Sequence, residues 1–155
     1  MTDSAAIEQR LRDALAPGGA TGFRSEGRLV RFETGPDGIR EAARLLLDGL
    51  SLDLILLLAC DQREDRGGFD LVYLFAHPGE DRFVEMTAVV PAGEPRYPSL
   101  ATLCYPASRY EREILDLFGL HPIGHPDLRP LVRHGFWPED YYPLRRDAPP
   151  AGEFA

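Results

Sequence analysis

The sequence predicts an α+β fold, an antiparallel sheet (meander) covered by helices and followed by a long Pro/aromatic-rich C-terminal extension. Three observations carry this. Two amphipathic helical stretches lie in the first third of the chain, around residues 5–15 and 39–48. Three strand-like runs, at 52–60, 69–77 and 82–90, then follow one another with short polar connections, the pattern of a meander. From Pro91 onward the chain holds most of its prolines and its single tryptophan, Trp137, and few strand-like runs.

Each element has a local reason. Ile7, Leu11 and Leu15 recur at i, i+4 and i+8, one face of a helix, with Asp3 or Ser4 placed to cap its start and 16–20 (APGGA) placed to end it. Residues 28–33, with Leu29, Val30 and Phe32, read as a strand. A turn at 34–38 (TGPDG) leads to the second helix, with Asp37 as expected N-cap, Gly49 as stop, and Ile39, Ala42, Ala43, Leu46 and Leu47 as its apolar face. The almost continuous apolar run 52–60 suits a central strand covered on both faces. Residues 62–68 read as a charged loop, and 69–77 as a strand rich in aromatic and branched residues. The expected organisation is one domain over 1–147, a body (1–90) and a motif-bearing extension (91–147), with 148–155 as a flexible tail.

Composition narrows the function. At 155 residues, 44% hydrophobic and 27% charged, the chain is an ordinary soluble globular one. A chain this long buries roughly 68–70% of its unfolded surface. The formal net charge of −8 opposes non-specific nucleic-acid binding and direct docking on an anionic membrane. Cys60 and Cys104 are isolated, in no CxxC pair, and two thiolates cannot hold an iron–sulfur cluster. No apolar run reaches the ~20 residues that cross a bilayer, and the N-terminus lacks a signal-type pattern.

The densest chemistry lies between residues 108 and 129. Tyr110, Ile114, Leu117 and Phe118 fall on one helical face, while Arg109/Glu113 and Arg112/Asp116 are i, i+4 pairs. Such pairs contribute only about 0.2–0.5 kcal/mol each when exposed, so helix stability alone does not call for this much charge. Gly119 is placed to stop the helix. His121, His125 and Arg129 each precede a proline and so are expected to project from an extended, stiff segment. Three chemistries compete. A metal site could draw on His121, His125, His134 and Asp127, but Pro122 and Pro126 forbid the regular helix that an HxxxH pair needs. Acid–base catalysis could use Glu111, Glu113 or Asp116 with His125, yet no nucleophile elbow, phosphate loop or HExxH accompanies them. The third reading is structural: Arg–carboxylate pairs fix a loop against the body and against a partner. It outweighs the other two.

Three linked motifs then become recognisable: YEREILDLFGL at 110–120, GHPDLR at 124–129 and PLRRD at 143–147, preceded by YPSL at 97–100 and PAS at 106–108. Their order and content resemble the signature of the 30 kDa subunit family of respiratory complex I, the NADH:quinone oxidoreductase. That family carries a pattern like ERExxDx[FY]G[IL], then GHPDLRR, then PLRKD. This protein departs from it at Pro130, where the family has a second arginine, and its 133–144 stretch (RHGFWPEDYYPL) looks more like the equivalent domain of membrane-bound [NiFe] hydrogenases of the formate-hydrogenlyase type.

The resemblance implies a non-catalytic subunit of an oxidoreductase complex. It would sit peripherally on the cytoplasmic face of the inner membrane, reach the membrane only through the complex, and brace a hydrogenase-like large subunit of the 49 kDa type beside an iron–sulfur subunit. It implies no cofactor in this chain, with clusters, flavin or a Ni–Fe site in the partners. The residues it marks are Tyr110, Glu111, Arg112, Glu113, Asp116, Phe118 and Gly119 of the helix, Gly124, His125, Pro126, Asp127, Leu128 and Arg129 of the loop, and Pro143, Leu144, Arg145, Arg146 and Asp147 near the end. They either pin the extension or meet the partner. The rivals are a stand-alone metal-binding or acid–base enzyme using His121, His125 and His134, and an assembly factor that is not a permanent subunit.

Overall fold

The structure is a computed structural model that describes residues 4–150. Helix α1 (Ser4–Leu15) is followed by a hairpin of β1 (Thr21–Glu26) and β2 (Leu29–Thr34). Helix α2 (Ile39–Arg44) runs on as a π turn through Gly49. Then come β3 (Asp53–Gln62), the single-turn α3 (Arg63–Arg66), β4 (Gly68–Ala76), β5 (Phe83–Pro91) and the short β6 (Arg96–Pro98). Helix α4 (Tyr105–Phe118) and β7 (His121–Ile123) follow, and the chain then runs without regular elements to residue 150.

The main sheet has the order β1-β2-β5-β4-β3. The β3–β4–β5 meander is antiparallel, as its short polar connections require, and β2 joins it parallel to β5. Alternation sets one face: Val30 and Phe32 of β2 lie level with Val84 and Met86 of β5, and Tyr73 and Phe75 of β4 complete the rows. These positions share one buried cluster with Ile7, Leu11 and Leu15 of α1, Ile39, Ala42, Ala43 and Leu46 of the second helix, and Ile114 and Phe118 of α4. Each large apolar side chain so enclosed contributes about 1.5–3 kcal/mol. The opposite face carries the half-buried Arg31, Glu33, Glu85, Val72, Leu74 and Leu58.

Several expectations are corrected. The run 52–60 forms an edge strand, not a central one. Its register shifts between Leu54 and Leu56, so Leu54 and Leu57 face the core while Ile55 and Leu56 are 43% and 37% exposed. An unbroken apolar run hides such a bulge, because it has no alternation to break. β1 carries little apolar signal: only Phe23 is buried, stacked on Phe32. Asp37 does not cap the second helix; it lies in a 3₁₀ turn, and Gly38 occupies the cap position without a side-chain bond. The second helix does end at Gly49, but through a π turn and without a left-handed glycine; Ser51 takes that conformation (φ 54°). Ser4 lies inside α1 and donates to the Gly27 carbonyl rather than capping, and Asp3 is outside the described residues. The charged loop at 62–68 contains α3, and the stretch after Pro91 holds a two-stranded parallel sheet, β6–β7, that periodicity did not reveal.

Candidate docking site

Helix α4 begins after Cys104, whose backbone is extended, with Pro106 in the first turn, where a missing N–H costs nothing. It ends at Gly119, which takes φ 71° and returns its N–H to the Leu115 carbonyl at 2.9 Å. Its buried stripe is Ala107, Glu111, Ile114, Asp116 and Phe118, whereas the expected Tyr110 and Leu117 are only half-buried. Two carboxylates therefore sit where an amphipathic pattern would place apolar side chains.

Each has a use. Glu111 is fully buried and accepts from the Leu100 N–H at 2.6 Å and from Ser99 Oγ at 2.5 Å. Burial pushes its carboxyl above the ordinary range, and those two donors work in the opposite direction. Asp116 Oδ2 accepts from three successive backbone amides, Leu131 at 2.7 Å, Val132 at 2.8 Å and Arg133 at 3.1 Å. Arg112 donates through Nε to the Arg129 carbonyl at 2.8 Å and through Nη2 to the Pro130 carbonyl at 3.2 Å. The expected intrahelical pairs Arg109–Glu113 and Arg112–Asp116 do not form among the described residues. Arg112 and Asp116 each reach the following loop instead, where a buried or half-buried bond outweighs an exposed ion pair. Arg109 and Glu113 are exposed.

The GHPDLR loop folds back on the helix. Gly124 (φ 81°) turns the chain so that the His125 ring is buried, contrary to the expectation that it projects. The Asp127 N–H donates to Nδ1 at 3.0 Å, which leaves the proton on Nε2, facing the Ser108 carbonyl at 3.1 Å. His125 Nε2 also lies 3.9 Å from Glu111. Asp127 grips Arg129 bidentately at 2.9 and 2.7 Å, and this guanidinium holds its carboxyl well below the usual range. Pro126, Leu128 and the Arg129 side chain are exposed. His121 is exposed on β7, and His134 stacks on Phe136 and meets Trp137 edge-on. The three histidines thus have three separate environments, and among the described residues no group of three or more His, Cys, Asp or Glu could hold a metal.

The PLRRD motif closes the other end. Leu144 N–H donates to the Leu117 carbonyl at 3.2 Å and Arg145 Nε to the Phe118 carbonyl at 2.6 Å, satisfying the last carbonyls of α4. Arg145 also lies over the Tyr142 ring at 4.4 Å and the Phe69 ring at 5.4 Å. Pro143, just before it, is half-buried. A Cβ on Gly119 would fall 2.6 Å from the Tyr142 ring, so glycine serves both the turn and this close approach. Beyond, Arg146 N–H donates to Asp61 Oδ2 at 2.9 Å, and Arg63 bridges Asp61 and Asp147. Arg63 holds both carboxyls below their ordinary range.

Two of the four partners that complete the site carried no sequence signal: Asp61 and Arg63 stand over 80 residues from the motif they hold. Ser99 lay within YPSL and Tyr142 within RHGFWPEDYYPL, signals for the family but not for the bond to Glu111 or the approach to Gly119.

Fold and site together define a class: an α+β domain whose charged helix clamps a C-terminal segment through that segment's own backbone. The chain belongs to the family of the respiratory-chain NADH dehydrogenase 30 Kd subunit, whose model matches residues 32–154. It is 35% identical over 96 residues to formate hydrogenlyase subunit 5 of Escherichia coli (strain K12), covering 61% of this chain and 17% of that protein. It is 34% identical over 121 residues to the NADH-quinone oxidoreductase C subunit of Rhodobacter capsulatus, covering 76% and 59%. The fold is similar to the solved structure of the trypsin-resistant fragment (1–134) of Nqo5, with a TM-score of 0.66, 25% identity, and coverage of 79% of this chain and 98% of that one. The chain thus spans less than two thirds of the length of these curated relatives.

Proposed function

We propose that this chain is a non-catalytic subunit of a membrane-associated respiratory complex, an NADH:quinone oxidoreductase or a related energy-converting [NiFe] hydrogenase. In this reading it braces a hydrogenase-like large subunit, next to an iron–sulfur subunit, on the cytoplasmic face. Body and C-terminal segment act as one docking domain, and electrons pass only through cofactors of the partners.

One observation carries the reading. The charged groups of α4 hold the 129–133 loop by its main chain, while the apolar side chains around it stay in solvent. Leu131 and Val132 are 41% and 37% exposed, Leu144 52%, and Phe136 73%. A rigid backbone presenting unburied apolar side chains is the anatomy of an interface core. The 17% match to the E. coli relative supports a large partner, because there a segment of this kind is joined to a much longer chain. Both nitrogens of His125 are engaged by backbone groups, which leaves none to bind a metal or move a proton. Among the described residues no helix is long and apolar enough to cross a membrane, so in this reading the membrane is reached through partners.

The test is capture of a hydrogenase-like large subunit by this chain. We expect a fixed-stoichiometry complex cross-linked through 128–144, and about 30-fold weaker capture by Phe136→Ala, the loss of one ~2 kcal/mol anchor. Quinone reduction or hydrogen evolution by the captured assembly assigns the setting. Failure to associate, or stoichiometric nickel, iron or zinc on the isolated chain, would overturn the proposal.

A further inference from the structure

Tyr73 of β4 and Tyr97 of β6 are fully buried, and neither hydroxyl meets a hydrogen-bond partner from the protein. Nearly all buried polar groups in folded proteins are paired, with protein or with internal water. Both hydroxyls belong to one neighbourhood. Tyr97 lies in β6 and Ser99 follows the strand directly, both side chains are buried, and Ser99 Oγ donates to Glu111. Tyr73 stands in the core-facing row of β4 between Leu71 and Phe75, in the same cluster as Ala107 and Ile114, which flank Glu111 on the buried stripe of α4. Burial raises both phenols well above their ordinary range; Tyr73 and Glu111 add to this at Tyr97, and Glu111 at Tyr73. Each Glu111 oxygen accepts one bond, which leaves lone pairs on both.

We propose that the core binds an internal water where Tyr73, Tyr97 and Glu111 meet, accepting both phenolic O–H groups and donating to the Glu111 carboxylate. Internal waters make about three hydrogen bonds, and this site offers three. The water joins the sheet, β6 and α4 at the carboxylate that fixes the 99–100 segment, a role independent of any docking partner.

The measurement is an atomic-resolution crystal structure of the full chain, paired with water–protein NOEs in solution. We expect one water within hydrogen-bond distance of at least two of the three groups. In the Tyr73→Phe/Tyr97→Phe variant that water is lost, and the titration midpoint of the Glu111 carboxyl carbon rises by about one pH unit, because the charged form loses a donor. A direct bond from either phenol to Glu111 with no water between would overturn the proposal. So would an unmoved midpoint in the folded variant. If the double variant does not fold, the wild-type structure and NOEs decide alone.

Discussion

Asp116→Ala removes an acceptor shared by three backbone amides, Leu131, Val132 and Arg133, at 2.7, 2.8 and 3.1 Å. A hydrogen bond to a charged group contributes about 1.5–3 kcal/mol, so three would sum to about 4.5–9 kcal/mol if the loop stayed in place. It need not stay. Leu131 and Val132 are exposed, and water reaches the freed amides as soon as the loop lifts. The loss is therefore capped by the loop's own attachment and falls on a local opening, about 2–4 kcal/mol. Hydrogen exchange measures this directly: protection of the three amides should drop about 30- to 700-fold, with the β4 and β5 amides unchanged. Asp116→Asn keeps one carbonyl acceptor but loses the charge, and should drop less. Unchanged protection at 131–133, or a loss spread evenly over the sheet, would refute the clamp.

Gly119→Ala combines a left-handed backbone (φ 71°) with a Cβ placed 2.6 Å from the Tyr142 ring and 2.8 Å from Arg145. We expect a loss of about 2–3 kcal/mol in denaturant melts, with displacement of 142–145 visible in amide shifts. Acid should release the C-terminal end first. Asp61 and Asp147 titrate below their ordinary range in the fold, beside Arg63. Their stabilisation is thus complete above about pH 4 and is lost as pH falls toward the folded values. Glu111 is shifted up, so its contribution has the opposite sign: present below about pH 4, lost as pH rises through the folded value. Emission of Trp137, packed edge-on against Tyr141, should therefore change below about pH 4, ahead of the far-ultraviolet dichroism. In Asp61→Asn this early step should shrink; an identical profile would remove the latch from the account.

How much could be read from the chain depended on whether a signal was local. Ile7, Leu11 and Leu15 announced α1, because a 3.6-residue period is written in neighbouring residues, and three strand-like runs joined by short polar connections announced the meander. The motif residues were legible as a group, and Gly119 as a stop. Their partners were not. In the sequence Glu111 and Asp116 read as acid–base candidates or as partners of arginines, because a carboxylate on a helix gives no sign of whether a backbone amide from another segment will reach it. His125 was misplaced for a similar reason: the proline after it predicts extension, but the turn at Gly124 decides direction. The edge position of β3 depends on strand order, which no single run of residues carries.

Glu111, Arg112 and Asp116, three of the charges that first suggest an active site, share a property in the fold: each ends on main-chain atoms. Glu111 takes the Leu100 amide, Arg112 the carbonyls of 129 and 130, and Asp116 the amides of 131–133. Arg145 takes the Phe118 carbonyl and Asp61 the Arg146 amide. A main-chain group is the same whatever side chain it bears, Pro130 included, since proline keeps its carbonyl. Pro130 therefore fits this protein where the family carries arginine: the bond from Arg112 asks for the Pro130 oxygen and nothing more. The helix fixes where the loop runs without specifying what the loop displays. Leu131, Val132 and Phe136, all exposed, can therefore change without loosening the clamp.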